Sequence, residues 1–202
     1  MSECAVTKKS QSRKKLLATL RESLATATPV RIQRAVEPEE VLQGVVLELS
    51  EEWVLLADIR DGAYLDGYRV LRLTDLVQVV LETTFLSFLH QHNVWPPARP
   101  STGFALSDPR TIITGAVSAT GVVCVYREAK RPGKLLIGVP VQWRKKSLWL
   151  LPVTPQCHWE QLMDKVRLKD VTQVSFGGDY ETAVLEVAGP MPPRTHPVPD
   201  PA

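Results

Sequence analysis

The feature that most constrains this 202-residue chain is a likeness between two of its own segments. Gly44-Val-Val-Leu-Glu-Leu-Ser-Glu-Glu-Trp-Val-Leu-Leu-Ala-Asp-Ile59 lies over Gly138-Val-Pro-Val-Gln-Trp-Arg-Lys-Lys-Ser-Leu-Trp-Leu-Leu-Pro-Val153 without a gap. After one extra residue in the following loop, Leu71–Val79 lies over Val166–Val174. There Arg72, Leu73, Asp75, Gln78 and Val79 recur as Arg167, Leu168, Asp170, Gln173 and Val174. A repeat of this length predicts two copies of one structural unit, made by internal duplication.

Each copy reads as mainly β with short helices. Val41–Leu49 and Trp53–Ile59 are rich in Val, Leu and Ile, and Ser50-Glu51-Glu52 between them is a turn, so the pair is a hairpin. Leu135–Trp143 and Leu148–Val153 repeat it across Arg144–Ser147. Gly44 and Gly138, inside strands, predict a bulge or bend that curls the sheet. Asp61-Gly62 and Asp66-Gly67 punctuate the next loop. A leading strand (Val30–Val36, Val122–Arg127) and a closing pair (Arg69–Leu73 with Leu76–Val80, Val166–Leu168 with Val171–Phe176) complete five strands per unit. A short helix then closes each unit. In the second, Asp179 is the expected N-cap and Tyr180, Ala183, Val184, Val187 and Ala188 form one apolar stripe ended by Gly189-Pro190. In the first, Phe85, Phe88 and Leu89 take the leading positions.

The expected organisation is therefore a basic N-terminal segment, mobile or helical, over residues 1–28, and a first small barrel with its helix over 29–93. A Pro-rich connector follows over 94–120, within which Asp108-Pro109 starts a helix or a turn. The second barrel and helix span 121–189, and 190–202, with six prolines in thirteen residues, is a disordered tail.

Five short curled strands with an internal glycine resemble the SH3-like and Sm-like small barrels. The run Val171-Thr-Gln-Val-Ser-Phe-Gly-Gly-Asp-Tyr-Glu-Thr-Ala-Val-Leu185 is similar to a closing segment of a group of uncharacterised bacterial proteins. Leu65-Asp-Gly-Tyr-Arg-Val-Leu-Arg-Leu-Thr-Asp75 resembles their upstream unit. The resemblance implies two tandem five-stranded SH3-like/Sm-like barrels, and it carries no activity. It does not imply Sm-type RNA binding, because Leu71-Arg72-Leu73 and Val166-Arg167-Leu168 lack the glycine of the Ile-Arg-Gly-type turn.

Charge is unevenly placed. Residues 1–31 carry seven Lys/Arg against two Glu, residues 32–92 four against eleven acids, and residues 121–189 ten against seven. An acidic first unit argues against a core that coats phosphate backbones. The basic segment, with Lys8, Lys9, Arg13, Lys14 and Lys15, could still contact nucleic acid. The opposite charges of the two units suggest that they face each other, within one chain or in a head-to-tail dimer. The apolar runs are far shorter than the ~20 residues of a membrane helix, and no apolar segment follows the basic start, so no signal peptide or membrane partner is expected. Cys4, Cys124 and Cys157, an odd count without CxxC spacing, read as reduced thiols of a cytoplasmic protein.

No catalytic, cofactor or metal set emerges. His90 and His92 lie two apart where helical metal pairs need four. Cys157-His158 are neighbours in sequence only, and Asp58, Asp61 and Asp66 lack EF-hand spacing. Gly177-Gly178 reads as a loop-to-helix turn rather than an anion site. Arg72 with Asp75, and Arg167 with Asp170, are the recurring polar pair; a turn between the partners would make each a structural ion pair. Four tryptophans (Trp53, Trp143, Trp149, Trp159) read as core or half-buried. The expected role is a non-enzymatic interaction or scaffold protein that binds a protein partner or itself. The alternatives are nucleic-acid binding through the N-terminal segment and an enzyme of unforeseen type.

Overall fold

The computed structural model describes residues 11–101 and 103–193; Lys8, Lys9 and residues 194–202 of the Pro-rich tail lie outside the described residues. The order of elements is α1 (Arg13–Thr26), β1 (Val30–Arg34), β2 (Val41–Leu49), β3 (Trp53–Arg60), β4 (Tyr64–Arg72), a 3-10 turn (Leu73–Asp75), β5 (Leu76–Leu81) and α2 (Leu86–His92). The chain continues through α3 (Pro109–Thr120), β6 (Val123–Tyr126), β7 (Leu135–Trp143), β8 (Ser147–Pro152), β9 (Asp164–Arg167), a second 3-10 turn (Leu168–Asp170), β10 (Gln173–Phe176) and α4 (Asp179–Ala188).

The ten strands form one antiparallel sheet in the order β5-β1-β2-β3-β4-β10-β6-β7-β8-β9. This corrects the expectation of two closed SH3-like or Sm-like barrels. The outer edge of β4 is taken by β10 in a ladder from Gln173↔Leu71 to Phe176↔Tyr68, so neither five-strand run closes on itself and the sheet stays open between β5 and β9. Backbone hydrogen bonding between β4 and β10 joins the two halves into a single sheet.

What recurs is local geometry. The two runs share one strand order. Gly44 stands opposite Asp58 with a bulge between Val46 and Glu48, and Gly138 stands opposite Pro152 with a bulge between Pro140 and Gln142. Both glycines are needed for close approach: a Cβ would fall 2.6 Å from the Ala57 carbonyl oxygen at Gly44 and 2.1 Å from that of Leu151 at Gly138.

The helices cover both faces. Leu16 and Leu20 of α1 pack on Ile32, Val46, Val54, Leu56 and Leu71. Ile112, Ile113 and Ala116 of α3 pack on Leu55, Val70, Val125, Val174 and Phe176. Adjacent strand residues point to opposite faces, so α1 and α3 lie on opposite sides of the sheet, and β3 is buried on both (Trp53 to Ile59). By the same alternation, α4, whose Val184 packs with Cys124 and Ile137, shares the α1 face. Leu89 of α2, against Val45, Ala57 and Ile59, shares the α3 face. Asp108 caps α3 by accepting from the Arg110 and Thr111 amides, with Pro109 in the first turn and Gly121 left-handed at the end.

Two local expectations change. Asp66-Gly67 is not a loop but part of β4, with Gly67 at φ +73° against Gly177 and Gly178. The cap of α4 is Gly178 rather than Asp179; the Asp179 amide donates to Asp66 Oδ1 at 2.7 Å, so a carboxylate of the chain already occupies that helix start. The α4 stripe is also rotated: Glu181 and Val184 are buried, while Tyr180 and Val187 are exposed.

Candidate functional site

On the face shared by α1 and α4, the two apolar clusters do not meet. Between them runs a seam of polar side chains at core-facing positions, Asp58 on β3, Arg69 on β4 and Gln173 and Ser175 on β10, bordered by Cys124 and Tyr126 of the β6 side. A register shift between Gln33 and Arg34 at the end of β1 precedes the largest buried side chain of the seam, Arg34, which is 1% exposed. Its Nη1 donates to Glu128 Oε1 at 2.7 Å and its Nη2 donates to Glu40. Glu128, itself 4% exposed, also accepts from the Thr172 hydroxyl. Arg69 Nη2 donates to Asp58 Oδ2 at 2.6 Å, and its Nη1 lies 3.6 Å from Glu40, so Glu40 links the two guanidiniums. From α4, Glu181 accepts from Ser175 Oγ at 2.9 Å.

A cavity of about 310 Å³ opens on the seam beside Arg34, Glu37, Glu40, Tyr126, Glu128 and Lys134. Burial raises the Asp58 carboxyl above its ordinary value even with Arg69 beside it. Burial, with Glu181 alongside, pushes the Cys124 thiol well up, and burial carries the Tyr126 phenol from 10 to about 12. The seam therefore holds its thiol and phenol protonated, the opposite of an activated nucleophile. A phenol whose pKa is higher folded than unfolded keeps its full stabilising effect below pH 10. It loses that effect as pH rises towards 12, because the unfolded chain gives up the proton first. The thermal unfolding midpoint is thus expected to fall between pH 10 and 12, and Tyr126→Phe to reduce that fall. An identical slope in the two proteins would show that Tyr126 does not contribute.

A second region lies at the far edge of the sheet. Lys145 and Lys146 on the β7–β8 turn, Lys165 and Arg167 on β9, and Lys169 in the 3-10 turn line a groove of about 640 Å³. All five are exposed. Ser147 and Leu168 complete the lining, which among the described residues includes no carboxylate, while Asp170 bonds Arg167 from beside it. Ser147 faces Arg167 and Trp149 faces Lys165 across the β8–β9 ladder, and the Lys165 ammonium lies 5.7 Å from the centre of the half-buried Trp149 ring.

Of the paired residues singled out from sequence, Arg72 and Arg167 end β4 and β9, and Asp75 and Asp170 lie in the 3-10 turns that follow. Arg72 donates from Nε and Nη2 to both carboxylate oxygens of Asp75, at 2.9 and 3.0 Å. Arg167 Nε donates to Asp170 at 2.7 Å. Gly44 lies in β2 opposite Asp58 of the seam, and Gly138 lies in β7 opposite Pro152. Arg13, Lys14 and Lys15 form the exposed first turn of α1, and among the described residues none of them is in an ion pair. His92 stacks on Phe88 and His90 lies against Trp95, both histidines exposed. Cys157 packs beside the Val122 cluster while the His158 ring lies 2.6 Å from the Gln156 carbonyl, so the two side chains do not pair. Asp58 and Asp66 are engaged by Arg69 and Arg60, and Asp61 is exposed. Among the described residues no group of three His, Cys, Asp or Glu side chains could hold a metal ion. No described helix is long and apolar enough to cross a membrane.

Sequence reasoning missed the seam. Its signal was present as Asp58, Arg69, Gln173 and Ser175, polar residues at inward positions of otherwise apolar strands.

No protein-family model, no curated protein and no solved structure matches this chain. The single open sheet overturns the resemblance to a bacterial group of tandem small barrels, and no homology supports the duplication expected from the internal offset.

Proposed function

We propose that this chain is a non-catalytic interaction protein that docks an acidic protein partner along β9. The observation that carries the reading is the groove of five exposed cations, without a lining carboxylate among the described residues, at an edge strand of the sheet. Like charges crowded together repel in the free protein and are relieved when an anionic surface covers them, which also steers the encounter.

The test is fluorescence anisotropy with a labelled polyglutamate peptide at low salt. Binding is expected to weaken at least tenfold in Lys145→Glu/Lys165→Glu and to weaken steeply with added salt. Equal affinity of the charge-reversed and unaltered proteins would end this reading.

A second reading places nucleic acid on the N-terminal segment, favoured by the exposed Arg13, Lys14 and Lys15, which form no ion pair among the described residues. Deleting the segment would also strip Leu16 and Leu20 from the core, so substitution is the sound probe. In Lys8→Glu/Lys9→Glu/Lys14→Glu, affinity for a single-stranded oligonucleotide should disappear. Retained affinity would exclude that route.

A further inference from the structure

We propose that the β9 groove recognises an extended partner segment carrying two phosphates on alternate residues. This rests on the docking reading above and names the chemistry of its ligand. The first argument is internal. At the matching place in the first half, between the β2–β3 turn and the Leu73–Asp75 turn, a cavity of about 410 Å³ is lined by Glu51 together with Arg13 and Arg21 of α1. Its local bonding matches that of the second groove: the Leu73 amide donates to the Glu52 carbonyl at 2.8 Å, and the Leu168 amide to the Lys146 carbonyl at 3.0 Å. In the first half, then, the chain supplies both signs of charge. In the second, the turn carries Lys145-Lys146 in place of Glu51-Glu52, and every charged residue that lines the groove is a cation.

The second argument is the kind of cation. Arg167 already spends its Nε on Asp170, and the remaining four are lysines. A guanidinium fork matches carboxylate and phosphate alike, whereas ammonium groups act as compact point charges whose attraction grows with the charge of the ligand, which is greater for phosphate.

Size and spacing decide between them. A groove of this volume is roughly 9 Å across if taken as a cube, and alternate residues of an extended segment stand about 6.5–7 Å apart, so about two side chains of a partner fit. Two carboxylates bring about −2, while two phosphates bring about −3 to −4, close to the lysine count. Lys165 and Arg167, two apart on β9 with Val166 between them turned inward, repeat at the same spacing.

The experiment titrates three peptides of one sequence into the full chain at about 150 mM salt, differing at two alternate positions: phosphoserine, glutamate or serine. Phosphoserine is expected to bind at least tenfold tighter than glutamate, with the gain lost in Lys165→Glu and in Lys145→Ala/Lys146→Ala. Both sets of substitutions fall at exposed positions, and thermal unfolding of each variant checks that it folds. Equal affinity for phosphoserine and glutamate peptides would overturn the phosphate inference and leave the docking reading standing. Free tripolyphosphate binding as tightly as the phosphopeptide would also overturn it, by making a small anion the ligand. If no peptide binds and charge reversal changes nothing, the docking reading falls first.

Discussion

Gly67→Ala is expected to cost about 3 kcal/mol or more, combining left-handed strain with overpacking. Gly67 lies in β4 at φ +73°, where an added Cβ would sit 2.4 Å from the Gly178 amide nitrogen, 2.5 Å from the Gly177 carbonyl carbon and 2.6 Å from the Phe176 carbonyl oxygen. All three contacts are backbone, so no side chain can swing away. The residue also lies beside the β4–β10 ladder, the strand pairing that joins the two halves. Urea unfolding followed by far-ultraviolet circular dichroism should show the midpoint moving far down. Gly103→Ala is the control, since a Cβ there meets nothing within 4 Å. A loss below about 1 kcal/mol at Gly67 would mean that the junction is looser than described.

The second large effect belongs to the seam. Arg34→Met should destabilise by about 3–5 kcal/mol, because it leaves the buried Glu128 carboxylate without its cation. The same physics gives the expected rescue: Arg34→Met/Glu128→Leu should recover most of the loss, since an apolar pair of similar volume requires no ionic partner. Glu40→Gln should cost much less, as Glu40 remains 37% exposed and water screens it. Chemical denaturation of the three variants checks the ordering. If the double variant is no more stable than Arg34→Met, the ion pair is not the source of the cost.

Much of the strand content was legible because each hairpin is marked twice, by Val/Leu/Ile runs and by a polar turn. Val41–Leu49 was placed with the bounds of β2, and Leu135–Trp143 with those of β7. The joining of the halves was not legible. Pairing of Val70 with Val174 requires a partner about a hundred residues away, and neither strand carries a residue type that names the other. Barrel closure was inferred from glycine bends, yet Gly44 and Gly138 bend hairpins within a sheet that never closes. The rotation of α4 has a similar origin. Its apolar periodicity pointed Tyr180 and Val187 inward, but Ser175 on β10 takes up Glu181 instead. The seam escaped notice for a related reason: Arg34 becomes a core residue only through a register shift and a carboxylate ninety-four positions onward.

The strand order has a consequence for how this protein is made. β10, the last strand in chain order, occupies the middle of the sheet between β4 and β6. While residues 173–176 are still inside the ribosome, β4 and β6 each present an open edge, and the core around Val70, Val125 and Val174 lacks its centre. Any interruption of synthesis before that point leaves two sticky ladders rather than a frayed end, a species prone to clumping and to capture by chaperones.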